Sequence, residues 1–304
     1  MAPLAGLFEA VPDEQALAVI ERSWVAGIRF YDTAPLYGYG LAEMRVGKVL
    51  RHKPREEFTL ASKVGRLLRA DAPPEPGQAY VGTPQVNPVF DFSYDGVMRS
   101  VEESLERLGM ERIDILHIHD PDDHYDAALD GAYRALDRLR TDGVIGAVGA
   151  GMNQAEMLTR FAREANFDCF LLAGRYTLLD QVALKELLPV CLDRGVAIIA
   201  GGVYNSGILA DPKPGSHYNY EAAPADLIDR AQRIAAVCAR HGVPLKAAAI
   251  QFPLGHPAVT CVVVGCRSRP QLDESIAMFE LTIPAAMWQE LKHEGLLAPD
   301  VPTP

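Results

Sequence analysis

The sequence predicts an α/β protein built as a (β/α)8 TIM barrel whose first strand is truncated. Two observations carry that prediction. Short apolar strands alternate with amphipathic helices along the whole chain, the pattern of a parallel sheet covered by helices. The repeat also averages roughly 35 residues over roughly 250, the spacing of an eightfold barrel. No polar linker interrupts the alternation, so residues 1–304 are expected to form a single barrel domain.

Taken in order, residues 13–26 carry Leu17, Ile20, Trp24 and Val25 at helical spacing, with Asp13 placed as a cap. Gly27 then marks a turn into a strand at 28–33, where Ile28 and Phe30 favour extended structure. A helix at 42–50 and a strand at 58–64 follow. Residues 65–91 break the rhythm, because Pro73, Pro74, Pro76, Pro84 and Pro88 oppose regular structure. A loop of that length inside a compact domain usually covers something, and its place after Lys63 makes it a candidate lid. A helix at 94–108 presents Val97, Val101, Leu105 and Leu108 on one face. Strands are expected at 113–119, 144–149, 168–173, 196–201 and 259–265, and helices at 128–139, 155–165, 182–194, 225–241, 245–254, 270–279 and 285–294. A second Gly- and Pro-containing loop spans 201–220. Seven strands are clear; an eighth could come only from residues 1–6, a short stretch that contains Pro3.

Composition narrows the function. The chain has 304 residues, 49% hydrophobic and 23% charged, with a formal charge of −11. An acidic surface argues against nucleic acid and anionic membranes as partners. No apolar run reaches the roughly 18 residues of a membrane span, and the N-terminus has no signal-peptide pattern. Cys169, Cys191, Cys238, Cys261 and Cys266 form no CxxC pair, so buried free thiols in a reducing cytoplasm are expected.

The chemistry-bearing residues gather at the ends of consecutive strands. Residues 30–38 read Phe-Tyr-Asp-Thr-Ala-Pro-Leu-Tyr-Gly: a strand runs into Asp32, and Tyr37 follows five positions later. The next strand runs into Lys63 and the following one into His119. Parallel strands would bring all four to one mouth of the sheet. A tyrosine titrates near about 10 in isolation; a neighbouring Lys63 ammonium favours its phenolate, and Asp32 would hold that lysine in place. His119 could orient a carbonyl or alcohol oxygen. The set is a proton-transfer apparatus that requires a bound cofactor for hydride chemistry. His117 lies on the same strand face as His119, one layer deeper, and reads as a core histidine.

This constellation resembles the aldo-keto reductase signature, from Phe8 to about Leu281. The resemblance implies a (β/α)8 barrel, a nicotinamide dinucleotide, Tyr37 as general acid–base, Lys63 lowering its pKa, Asp32 supporting Lys63, and His119 positioning the reacting oxygen. Residues 32–38 (Asp-Thr-Ala-Pro-Leu-Tyr-Gly), 116–122 (Leu-His-Ile-His-Asp-Pro-Asp), 173–181 and 201–209 resemble the bacterial branch that contains L-fucose and D-threo-aldose 1-dehydrogenases and a pyridoxal 4-dehydrogenase. That likeness implies oxidation of a cyclic hemiacetal to a lactone; pyridoxal oxidation and general aldehyde or ketone reduction are its alternatives.

The cofactor residues implied by the resemblance are Gly151 and Met152, where many members place Ser-Asn; Gly201, where many stack a Tyr, with Gly202; and Gly265, Arg267, Gln271 and Glu274 along the adenosine end. Gly265 and Gln271 stand where a phosphate-binding Lys and Arg are common, so NAD is expected over NADP. Tyr204 and Asn205 are the expected polar contacts to a sugar or aldehyde. No metal is expected, and the protein is expected as a monomer or weak homodimer.

Three other readings compete. A metal-dependent hydrolase would use His117, His119 and Asp120, but needs further ligands from other strand ends. A Rossmann dehydrogenase would use residues 149–154, which lack the third glycine and the following acid. A nicotinamide-binding sensor without turnover shares the same residues, and only an activity measurement separates it from the enzyme.

Overall fold

The computed structural model describes residues 1–74, 79–219 and 221–304; Pro76 and Tyr220, assigned above to the two long loops, lie outside them. The chain forms two compact units. One comprises Met1–Gly151, Phe167–Cys169 and Gly265–Leu272; the other comprises Met152–Asn166, Phe170–Val264 and Asp273–Pro304.

In the first unit, β1 (Phe30–Asp32), β2 (Thr59–Val64), β3 (Ile115–His119) and β4 (Ala147–Met152, all but its last residue) pair in parallel and in chain order. Asp32 aligns with Ala61, Lys63 with His117, His117 with Gly149, and His119 with Gly151. From Leu60 and Leu116 onward, β2 and β3 are buried at every position, as strands covered on both faces must be. The helix Tyr94–Leu108 starts where Ser93 Oγ accepts from the Gly96 N–H at 3.1 Å. It stops at Gly109, whose left-handed φ of 62° ends the helix. Of the four apolar residues expected on one face, Val97, Val101 and Leu108 are buried and Leu105 only partly so.

Several local expectations are corrected. Asp13 is not the cap of the first helix: Pro12 occupies that position, and the Asp13 carboxylate instead takes Arg45 at 2.7 Å and Lys48 at 2.8 Å. The strand placed at 144–149 begins at Ala147 and runs to Met152, because Gly143 closes the preceding helix and Val144 completes that turn by bonding the Leu139 carbonyl. Residues 65–91 are not wholly irregular: Arg66–Arg69 pairs antiparallel with Asn87–Phe90, and Pro88 sits opposite Leu68. A two-stranded ribbon tolerates that proline because only one of its edges must donate. The helix expected at 128–139 contains a π turn at Ala128–Tyr133, where a side chain on Gly131 would sit 2.2 Å from the Phe92 carbonyl oxygen. The N-terminal residues Ala2–Ala5 form a 3-10 turn rather than a strand, and Leu7 makes one isolated bridge to Tyr80.

In the second unit, β5 (Cys169–Ala173), β6 (Ala197–Gly201) and β7 (Val259–Val262) are neighbours in that order, with β6 and β7 parallel. The helix expected over 182–194 is broken. Val182–Leu184 is a 3-10 turn and the α-helix restarts at Leu187, which puts Pro189 in a first turn where no amide donor is needed. The loop at 201–220 carries a 3-10 turn at Asn205–Gly207, and His217–Tyr218 pairs with Glu221–Ala222. All five cysteines are free thiols, four of them buried and Cys261 partly so. No helix among the described residues is long and apolar enough to cross a membrane.

Candidate active site

The first unit brings Asp32, Tyr37, Lys63 and His119 together, each from the segment that the strand pattern assigned. Asp32 ends β1, Lys63 is the penultimate residue of β2, and His119 ends β3. Lys63 Nζ donates to Asp32 Oδ1 at 2.6 Å and to the Thr33 carbonyl at 2.8 Å. Both charged side chains are buried, Lys63 almost completely. A buried ammonium needs such a partner, since an unpaired charge there costs several kcal/mol.

Tyr37 is half-buried in the turn after β1 and held by its backbone N–H to the Ala34 carbonyl. The Lys63 ammonium lies 4.6 Å from the centre of the Tyr37 ring. The His119 ring meets Tyr37 edge-to-face, with centroids 5.7 Å apart. Burial, with the Arg66 and Lys63 charges nearby, pushes the His119 imidazole well below its ordinary value. His119 is therefore a neutral ring that can donate one N–H to an oxygen without becoming a cation.

His117 lies one layer down and is fully buried, as expected of a core histidine, but it is not hydrogen-bonded: neither ring nitrogen has a partner among the described residues. Burial lowers its pKa to about 4. Its ring occupies space that only a glycine leaves open on β4, since a Cβ on Gly149 would come within 2.2 Å of His117 Nδ1.

Two further charged groups lie at this mouth: Asp120, which the sequence offered only as a metal ligand beside His117 and His119, and Arg66, which it did not single out. Asp120 follows His119 with a left-handed φ of 42°, and its N–H donates to the Gly151 carbonyl at 3.0 Å. Its carboxylate Oδ2 is 3.5 Å from His119 Nε2 and 3.3 Å from Arg66 Nη1. Burial raises the Asp120 carboxyl above its usual range against the opposing effect of Arg66. The available signal was position: Asp120 directly follows a strand-terminal His, and Arg66 lies three residues after Lys63.

The residues implied for the cofactor and substrate are distributed over both units. In the first, the Gly151 carbonyl is engaged by Asp120. A Cβ on Gly265 would meet Pro3 Cγ at 2.5 Å. Arg267 donates through its guanidinium to the Leu7 carbonyl at 2.9 Å and lies 3.7 Å from Glu9, while its backbone N–H donates to Gln271 Oε1 at 2.8 Å. In the second unit, Met152 is buried, and a Cβ on Gly201 would press on Leu171 at 3.3 Å. Gly202 adopts a φ of 61°. Glu274 pairs with Lys246 at 2.8 Å. Tyr204 is half-exposed. Asn205 is buried, and its amide donates to the Gly174 carbonyl at 3.1 Å, pinning the loop that carries Tyr204.

The segment from Gly265 leads into the helix Arg269–Glu280, in whose first turn Pro270 has no N–H to offer and the Gln271 and Leu272 N–H groups donate to Ser268 Oγ and the Ser268 carbonyl. Among the described residues no group of three or more His, Cys, Asp or Glu side chains is disposed to hold a metal ion.

Comparison with known proteins agrees. The profile of the Aldo/keto reductase family matches residues 2–294, running through both units. The chain belongs to the aldo/keto reductase family. Similar curated proteins include a D-threo-aldose 1-dehydrogenase from a Pseudomonas species, 45% identical with 100% of this chain and 93% of that protein covered. Another is a pyridoxal 4-dehydrogenase from Microbacterium luteolum, 42% identical with 98% and 93% covered. Among solved structures, the holo form of the aldo-keto reductase AKR11C1 from Bacillus halodurans matches with a TM-score of 0.75 at 25% identity, covering 98% of this chain and 91% of that one. This aldo-keto reductase therefore has the (β/α)8 fold class expected from its sequence, and it is an oxidoreductase of a family that uses nicotinamide cofactors.

Proposed function

We propose that this aldo-keto reductase oxidises the cyclic hemiacetal of an aldose to its lactone, with Tyr37 as the proton-transfer group. The observation that carries the reading is the buried Lys63–Asp32 pair beside the Tyr37 ring. The similarity to a D-threo-aldose 1-dehydrogenase supports the substrate class. A nicotinamide ring, when bound, accepts the hydride that leaves the anomeric carbon. The chain's residues handle the oxygen of that carbon. His119 donates an N–H to it and sets its orientation. Tyr37 Oη accepts its proton as the carbonyl of the lactone forms. The Lys63 charge stabilises the phenolate form that can accept that proton, and Asp32 with the Thr33 carbonyl keeps the ammonium in place.

Gly151, Met152, Gly201 and Gly202 would flank the nicotinamide half, and the segment from Gly265 through Arg267 and Gln271 to Glu274 the adenosine half. NAD is the preferred form in this reading. The Arg267 guanidinium is already turned to Leu7 and Glu9, and neither Gly265 nor Gln271 supplies a cation for a 2′-phosphate. Tyr204 is the proposed polar contact to the sugar from the second loop, with Asn205 holding it. The protein acts in the cytoplasm as a monomer or weak homodimer.

A second reading is pyridoxal oxidation, favoured by the 42% identity to a pyridoxal 4-dehydrogenase; pyridoxal also closes to a cyclic hemiacetal. Absorbance of reduced nicotinamide, followed with NAD⁺ or NADP⁺ against L-fucose, D-arabinose, L-galactose and pyridoxal, tests both. Signal with NAD⁺ and a sugar supports the first reading, and signal with pyridoxal alone supports the second. Flat traces with all four would overturn both.

A further inference from the structure

The catalytic tetrad explains how a proton leaves the anomeric hydroxyl but does not explain Arg66 and Asp120, which no step above uses. Arg66 is less than a tenth exposed, yet its Nε has no hydrogen-bond partner among the described residues. Its guanidinium is fixed in orientation by the Phe90 ring, 4.7 Å below it. The hairpin that holds both residues is anchored at Arg66↔Phe90. Nη1 reaches Asp120 Oδ2, the oxygen that also approaches His119 Nε2. The Asp120 side chain is 34% exposed, so its carboxylate stays open to a ligand.

Asp120 also holds an unfavourable backbone conformation. A non-glycine residue at φ 42° is strained, and the Gly151 carbonyl fixes it there. This strain places an acceptor and, through Arg66, fixed donors beside the histidine that binds the reacting oxygen. A guanidinium side by side with a carboxylate is the donor–acceptor pairing that recognises a hydroxyl, which must donate one hydrogen bond and accept another.

From this geometry we infer that Asp120 and Arg66 clamp the hydroxyl on the carbon next to the reacting one, so that the site selects hemiacetals bearing a C2 hydroxyl. The clamp rests on the hemiacetal-oxidation reading and deepens it. In an aldose the C2 oxygen lies one hydrogen-bond length from the anomeric oxygen. With the anomeric oxygen on His119, the C2 hydroxyl falls beside the Asp120 carboxylate, which donation from that hydroxyl satisfies while Arg66 donates back. A substrate lacking the hydroxyl leaves a largely buried charged pair without its third partner, a loss on the order of 10- to 100-fold in kcat/KM.

The test compares D-arabinose with 2-deoxy-D-ribose, its C2-deoxy counterpart, in wild type, Asp120→Asn and Arg66→Met. Asparagine tolerates the left-handed backbone, so Asp120→Asn keeps the local fold. Cofactor binding followed by tryptophan quenching confirms that each variant is assembled. The expected result is a wild-type preference for D-arabinose of about 10-fold or more, carried mainly in KM, which shrinks toward unity in both variants. A wild-type ratio near unity, or an equal ratio in wild type and both variants, overturns the clamp alone. Failure of the wild type to oxidise either sugar overturns the clamp together with the hemiacetal reading, and the two failures are told apart by wild-type turnover.

Discussion

Lys63 Nζ and Asp32 Oδ1 lie 2.6 Å apart with both side chains buried, and the lysine arrives there because β2 pairs with β1 in a register that places Ala61 opposite Asp32. The pair serves two ends at once. It neutralises a charge that the core would otherwise expel, and it keeps that charge beside the Tyr37 ring. In the proposed mechanism, stability and chemistry are joined in the same two residues.

Tyr37→Phe removes one oxygen and leaves the ring against His119 and Lys63. Turnover falls by at least about 100-fold, the scale of a lost general acid–base, while cofactor affinity is retained. Steady-state rates together with fluorescence titration of the cofactor check this. Unchanged turnover would remove Tyr37 from the proton path.

Lys63→Met strands the Asp32 carboxylate in a buried site. The expected cost is about 3–5 kcal/mol of unfolding free energy, accompanied by loss of turnover. In Lys63→Met/Asp32→Leu, where neither charge remains, part of the stability returns and the activity does not. Urea denaturation of the three proteins reads the first effect, and the absorbance assay the second. A double variant no more stable than the single one would contradict the pairing.

His117 is neutral in the fold because burial lowers its pKa to about 4, whereas the unfolded chain binds its proton near about 6.5. Between those values the unfolded state binds more protons, so stability rises with pH across the window. The contribution is complete above about 6.5, and about 3 kcal/mol is lost by pH 4. The buried His119 acts with the same sign. Unfolding free energies at pH 7 and pH 4.5 should differ less in His117→Leu than in the wild type. Equal slopes would show that His117 does not carry the effect.

Gly149→Ala places a Cβ 2.2 Å from His117 Nδ1 and 2.8 Å from the Cys169 carbonyl oxygen. The ring has no room to yield in a fully buried layer, so overpacking of about 1–3 kcal/mol is expected. His117→Ala in the same background should restore part of it, measured as a rise in Tm over Gly149→Ala. Without that rise, the clash with the Cys169 carbonyl alone would account for the loss.

Much of the site was legible in the sequence for a simple reason. A side chain at the end of a parallel strand is delivered to one face by the strand itself, so Asp32, Lys63 and His119 could be placed once the apolar runs before them were recognised. Tyr37 followed from its fixed distance after Asp32. The loops were less legible. The hairpin at 66–69 and 87–90 forms through cross-strand pairing across a proline-rich stretch, and no local period announces it. Asn205 read as a polar group for substrate, yet its amide is bonded to the Gly174 carbonyl, a pairing set by two distant turns.

By itself the sequence determined the fold class, the strands that end in chemistry and the family to which they belong, because strand periodicity and motif spacing are local properties of the chain. Only the tertiary structure decided which of those groups touch. It paired Lys63 with Asp32 and left the His117 ring nitrogens, beside Gly149, without partners among the described residues. It also turned Asp120 through a left-handed backbone onto Arg66 and His119. Those relationships depend on register between strands and on burial. Both are fixed by the packing of segments far apart in sequence, and no residue carries them alone.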